Sequence, residues 1–205
     1  VSNANLIVTN KVSRDMRIQI SEETPANLEQ YGSVPMSFTV TSHLVPTALG
    51  ANGLGGIQLV EKTLETPYTK DYDDDGGPER WRRWDLSNWG IFCALVNGER
   101  VGGAVVAHRT EGVNFLKGRD DLAALWDIRI DPAWQRRGIG RALFQHIEYW
   151  VRTRDCALLE IETQNNNVAA CHFYAAQGCT LGTIDRFAYE DLPDETRLIW
   201  YKELA

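Results

Sequence analysis

The run Leu125-Trp126-Asp127-Ile128-Arg129-Ile130-Asp131-Pro132-Ala133-Trp134-Gln135-Arg136-Arg137-Gly138-Ile139-Gly140-Arg141-Ala142-Leu143 constrains this chain more than any other. It reads as a buried strand, a sharp basic turn with two glycines, and the first turn of a helix. A helix that starts straight out of a glycine-containing loop leaves backbone N–H groups unpaired and pointing forward, and its macrodipole adds partial positive charge there. Such a junction is an anion site, most often for phosphate. Gly138 and Gly140 let a diphosphate approach the backbone with no Cβ in the way, while Arg136, Arg137 and Arg141 add charge around it.

Two other phosphate loops do not fit. A P-loop needs Lys-Ser/Thr directly after its last glycine, where this chain has Arg141-Ala142, and a dinucleotide fingerprint needs G-x-G-x-x-G, of which only G-x-G is present. Other classes are removed by charge and hydropathy. A net charge of −7 argues against sequence-independent nucleic-acid binding, which needs a basic face, and suits a cationic small substrate. There is no run of 18 apolar residues and no signal-peptide core in the first 20, so the expectation is a cytoplasmic protein with no membrane partner. Cys93, Cys156, Cys171 and Cys179 have neither CxxC nor zinc spacing, so reduced structural thiols and no metal site are expected.

With 205 residues the chain can bury one full core. Residues 1–15 are expected to be a flexible arm or residues left by cloning, and 16–205 a single domain. Along that domain, period-two alternation predicts strands at 16–20 and 37–41, with a glycine-rich turn over 50–56 and a strand at 57–64. The segment from Glu65 to Pro78 is expected as an acidic loop, a solvated face or a lure for a polycation through Asp71, Asp73, Asp74 and Asp75. In Arg80-Trp81-Arg82-Arg83-Trp84 the tryptophans should pack on a sheet while Arg82 and Arg83 face water. Two apolar runs joined at Asn97-Gly98 form a hairpin. After the central strand, Ile139, Leu143, Ile147, Trp150 and Val151 mark an amphipathic helix to about 154, and a strand at 157–163 completes a parallel crossover. A second helix over 168–177, stopped by Gly178, precedes strands at 180–189 and 197–201.

The strand Trp126 to Ile130, the loop Gln135-Arg136-Arg137-Gly138-Ile139-Gly140, and Asn167-x-x-Ala170-x-x-Phe173-Tyr174-x-x-x-Gly178-Cys179 resemble, in order and spacing, the motifs of the GNAT superfamily of N-acetyltransferases. Cys179 replaces the usual aromatic. A closer resemblance, to streptothricin acetyltransferases within that superfamily, rests on Glu162 to Asn167 running into Ala170-Cys171-His172-Phe173-Tyr174, on Thr66 to Tyr72, and on Ile199-Trp200-Tyr201. The resemblance implies an α/β (α+β) fold with a mixed, twisted central sheet flanked by helices, and acetyl-CoA as cosubstrate. It further implies that the backbone of Ile128, Arg129 and Ile130 pairs with pantetheine and that Gln135 to Arg141 hold the pyrophosphate. Asn167, Ala170 and Phe173 are its remaining cofactor positions.

Acetyl transfer to an amine needs a base for the ammonium proton and an acid for the departing thiolate. Tyr174 stands at the family position of the acid, with packing beside Phe173 as the alternative. Asp127, Glu160 and Glu162 are carboxylates in apolar strands, where burial needs partners or a task. Glu162 and Asp127 are the candidate bases, with structural hydrogen bonding the rival role for each. The expected activity is N-acetylation of a cationic small-molecule amine of streptothricin type; the rivals are a protein N-acetyltransferase and a non-catalytic CoA-binding module. A homodimer is the assembly to look for.

Overall fold

A computed structural model describes residues 16–74 and 76–204; the predicted arm over 1–15, and Asp75 of the acidic run, lie outside the described residues. In chain order the elements are β1 (Ile18–Glu23), α1 (Leu28–Gly32), β2 (Ser37–Ala48), β3 (Ile57–Asp71), β4 (Gly90–Val96), β5 (Glu99–His108), β6 (Leu122–Ile130), α2 (Ile139–Arg152), β7 (Leu158–Gln164), α3 (Val168–Ala176), β8 (Thr180–Asp185) and β9 (Arg197–Glu203). They fall into two compact units. Of the described residues, the first comprises those up to Met36, those from Tyr72 to Leu159, and Glu203 and Leu204, the second Ser37–Asp71 and Glu160–Lys202.

In the first unit β1, β4, β5 and β6 lie side by side in that order, each antiparallel to the next. The β4–β5 hairpin turns at Asn97 and Gly98, whose φ values of 53° and 83° are those of the tight turn that an Asn-Gly pair favours. Next to it, Gly103 leaves room for an aromatic ring: a Cβ there would stand 2.6 Å from Cε2 of Tyr31. Tyr31 in turn meets Trp81 edge-on at 5.9 Å, within a cluster that includes Leu28, Trp89 and Val105. The Arg/Trp run forms a short 3-10 turn over Pro78–Arg83. As expected, Trp81 is buried and Trp84 packs on Trp89 and Trp126, with Arg82 and Arg83 exposed.

α2 buries Ile139, Leu143, Ile147, Trp150 and Val151, the stripe predicted from the periodicity, and Phe144 beside them. The chain then returns to the start of β6, where Asp121 O accepts from the amides of Ala157 and Leu158 at 2.9 and 3.3 Å. β6 and β7 therefore begin side by side with a helix between them, the strand–helix–strand arrangement of a parallel crossover.

In the second unit β7, β9 and β8 are neighbours in that order, and β2 and β3 form a long two-stranded ribbon. The ribbon corrects the expected loop at 65–78, because β3 runs through Thr66-Pro67-Tyr68-Thr69 to Asp71. Pro67 is accommodated where the register slips between Val40 and Ser42, a place in a ladder that does not need its missing N–H. Asn165 holds the ribbon. Its carbonyl accepts from Leu44 N at 2.9 Å and its Nδ2 donates to Leu44 O at 3.2 Å. Its N donates to Thr196 O at 2.9 Å and its Oδ1 accepts from Thr196 N at 2.8 Å. Lys70 and Glu195 pair at 2.6 Å within the same unit.

Candidate active site

In the first unit, β6 ends at Ile130 and a 3-10 turn over Pro132–Trp134 is fixed by Asp131 Oδ1, which accepts from Ala133 N at 2.8 Å. The loop then enters α2 through two left-handed residues, Arg136 at φ 62° and Gly138 at φ 84°. Gly138 is the N-cap of α2 and supplies no side-chain cap. The leading amides of Ile139, Gly140 and Arg141 therefore face outward without a capping oxygen, the condition for receiving an anion. Arg136, Arg137 and Arg141 are exposed around them, and Arg137 lies 5.0 Å over the ring of Trp134. These residues fit a CoA diphosphate: uncapped amides for its oxygens and mobile cations for its charge.

The same unit shows what surrounds Asp127. Arg129, whose side chain is 1% exposed, donates from Nε to Asp127 Oδ1 at 2.9 Å and from Nη2 to Oδ2 at 2.7 Å. The Tyr31 hydroxyl also donates to Oδ1. The guanidinium further bonds Asp73 at 2.8 and 3.1 Å and Val34 O at 3.0 Å. Burial opposes the charge on Arg129, but hydrogen bonds and attraction from Asp127, with Asp73 adding to them, outweigh it and hold the group more firmly protonated than usual. Burial, then Asp127, push the Tyr31 phenol well up. Both oxygens of Asp127 are thus engaged, and taking a proton there would first loosen a bidentate pair. Ile128 and Ile130 align with Ala104 and Gly102 of β5.

In the second unit, Glu162 is half-buried on β7, and its Oε1 accepts from the Tyr189 hydroxyl at 2.7 Å. Glu160 is buried at 2% exposure. Tyr174 is buried on α3, its ring edge-on to Phe173 at 5.3 Å. Asn167 caps α3, its Oδ1 accepting from Ala170 N at 3.1 Å, so the motif's Asn and Ala first build the helix that carries Phe173 and Tyr174. Gly178 closes that helix at φ 77°. His172 is exposed and lies 3.7 Å from Glu61.

The structure places the predicted loop residues around the uncapped start of α2 in the first unit and, in the second, Glu162 on β7 and Tyr174 on α3. Sequence reasoning missed Tyr31, Asp73 as a partner of Arg129, and Tyr189, which was read as the end of a strand. Among the described residues no three His, Cys, Asp or Glu are grouped to hold a metal, and no helix is long and apolar enough to cross a membrane.

Comparison with known proteins identifies the architecture. Residues 57–179 match the Acetyltransferase (GNAT) family. The chain is 30% identical over 149 residues to streptothricin acetyltransferase of Escherichia coli, covering 71% of this chain and 76% of that protein. It is 26% identical over 184 residues to streptothricin acetyltransferase A of Bacillus subtilis (strain 168), covering 89% and 98% respectively. A Bacillus anthracis str. Ames protein solved in complex with acetyl coenzyme A matches with a TM-score of 0.71 at 25% identity, over 91% of this chain and 99% of that one. The chain belongs to the acetyltransferase (GNAT) family: it is an acetyl-CoA-dependent N-acetyltransferase with that family's mixed sheet flanked by helices.

Proposed function

We propose that the acceptor is the amine of a streptothricin-type antibiotic, and that residues 16–205 act as one catalytic domain in which Glu162 is the base and Tyr174 the acid. The observation that carries the acceptor is the near full-length similarity to a streptothricin acetyltransferase, 89% of this chain against 98% of the relative. A net charge of −7 favours the approach of a cation.

Acetyl-CoA supplies an acyl group on a thioester, a good leaving group for an amine to displace. The Gln135–Gly140 loop and Arg141 hold its diphosphate by backbone N–H groups and arginine charge, while the backbone of Ile128 to Ile130 pairs with pantetheine. Asn167 and Ala170 set the start of α3, and Phe173 packs beside Tyr174. Glu162 takes a proton from the ammonium, directly or through a water. The amine nitrogen then bonds to the acyl carbon as the C–S bond breaks, Tyr174 donates its phenolic proton to the departing sulfur, and the second proton shed by the nitrogen as it becomes an amide returns to the phenolate. Glu162 is preferred to Asp127 because one of its oxygens is engaged by a neutral phenol, whereas Asp127 is clasped by a buried guanidinium.

The test is thiol release from acetyl-CoA against a panel of amines including streptothricin and a lysine peptide. Turnover with the antibiotic and little with the peptide is the expected result; the reverse identifies a protein N-acetyltransferase, and no thiol release with any amine removes the catalytic reading. Tyr174→Phe should lower kcat by roughly 10²-fold or more, and an unimpaired variant removes the acid assignment.

A further inference from the structure

We infer that Tyr189 is the positioning residue for Glu162, its hydroxyl fixing the carboxylate that accepts the substrate's proton; this rests on the assignment of Glu162 as base. Tyr189 lies between β8 and β9, half-buried, and its hydroxyl touches two side chains of β7. Gln164 Nε2 donates to it at 2.8 Å, and it donates to Glu162 Oε1 at 2.7 Å. The direction of these bonds is forced by the groups themselves. An amide nitrogen only donates and a carboxylate only accepts, so the single phenolic hydrogen must point at Glu162. Gln164 fills the lone pair on the other side and holds the phenol in that orientation.

The consequence for Glu162 is geometric. With Oε1 tied, the carboxylate cannot spin about its last torsion, and Oε2 is left to meet the incoming ammonium in a defined direction. Among the described residues Oε1 has Tyr189 as its hydrogen-bond donor. Burial, and then the neighbouring Glu162, push the phenol well above its ordinary range, so it stays protonated and keeps donating throughout the working pH of the enzyme. A phenol that served only to pin the β8–β9 segment would have no reason to act through the carboxylate.

The test is a kinetic cycle on the full chain with acetyl-CoA and an accepted amine, using wild type, Tyr189→Phe, Glu162→Gln and the double variant. Tyr189→Phe removes only an oxygen and should leave the melting temperature and the KM for acetyl-CoA near wild type. It should lower kcat/KM for the amine by about 10- to 100-fold, the effect of losing a hydrogen bond to a charged group. In the Glu162→Gln background the same change should cost less than about two-fold, because the two residues act as one unit. Glu162→Gln at the wild-type rate removes the base assignment itself. An impaired Glu162→Gln beside an unimpaired Tyr189→Phe, or losses that multiply in the double variant, overturns the positioning role alone.

Discussion

The chemistry of single residues is decided by partners far away in sequence. Asp127 and Glu162 look alike in the sequence, each a carboxylate in an apolar strand. Tyr31, a partner of Asp127, is 96 positions distant, and Asp73, which shares its arginine, is 56 positions from Arg129. No local pattern announces either contact, so the sequence leaves the two candidates level. The difference predicts different losses. Asp127→Asn breaks a buried bidentate pair and should destabilise the fold by about 3–5 kcal/mol in denaturant unfolding. Asp73→Asn should cost less, since that side chain is 24% exposed. An Asp127→Asn protein that keeps full stability yet loses all turnover would reverse the roles given to the two carboxylates.

Elements were legible where hydrophobic period and turn chemistry agree. The stripe of α2, the Asn97-Gly98 hairpin and the Gly178 stop were readable because each depends on neighbours in sequence. The long β3 was not: Thr66-Pro67-Tyr68 carries a turn residue, and only the slip in register opposite Thr41 makes room for it. The entry to α2 yields its own prediction. Gly138 sits at φ 84°, where an alanine costs roughly 1 kcal/mol or more. Gly138→Ala should therefore raise the KM for acetyl-CoA several-fold in steady-state assays while leaving the acceptor KM little changed.

Two buried imidazoles, His146 on α2 and His108 at the end of β5, carry a pH dependence. Burial pushes the imidazole of His146 below its ordinary range, with Glu22 opposing, and burial does the same at His108 against the pull of Asp120 O. Both rings are therefore neutral in the folded chain at a pH where they already carry a proton in the unfolded chain. Their contribution is complete above about pH 6.5 and is lost as the pH falls below it. Thermal melts from pH 8 to pH 5 should show the melting temperature dropping on the acid side, with a shallower drop in His146→Leu.

At the scale of the whole molecule, the thiols agree with the sequence. Cys93, Cys156, Cys171 and Cys179 are all free and buried, and burial pushes Cys93 and Cys171 up to about 11. Titration with a chromogenic disulfide at pH 8 should label none of the four in the native protein and all four in denaturant; fast labelling of any native cysteine would contradict this packing. The division into units that exchange the chain at 36/37, 71/72, 159/160 and 202/203 was not legible, because it depends on which distant segments pair. The bonds of Asn165 turn that interleaving into an order of events. A two-stranded ribbon is barely stable alone, and the residue that ties it down lies 121 positions beyond Leu44 and itself closes on Thr196, 31 positions further on. During synthesis the ribbon is therefore one of the earlier parts to be made and one of the last to be secured, so a nascent chain halted before Thr196 should present it to proteases as an open tongue.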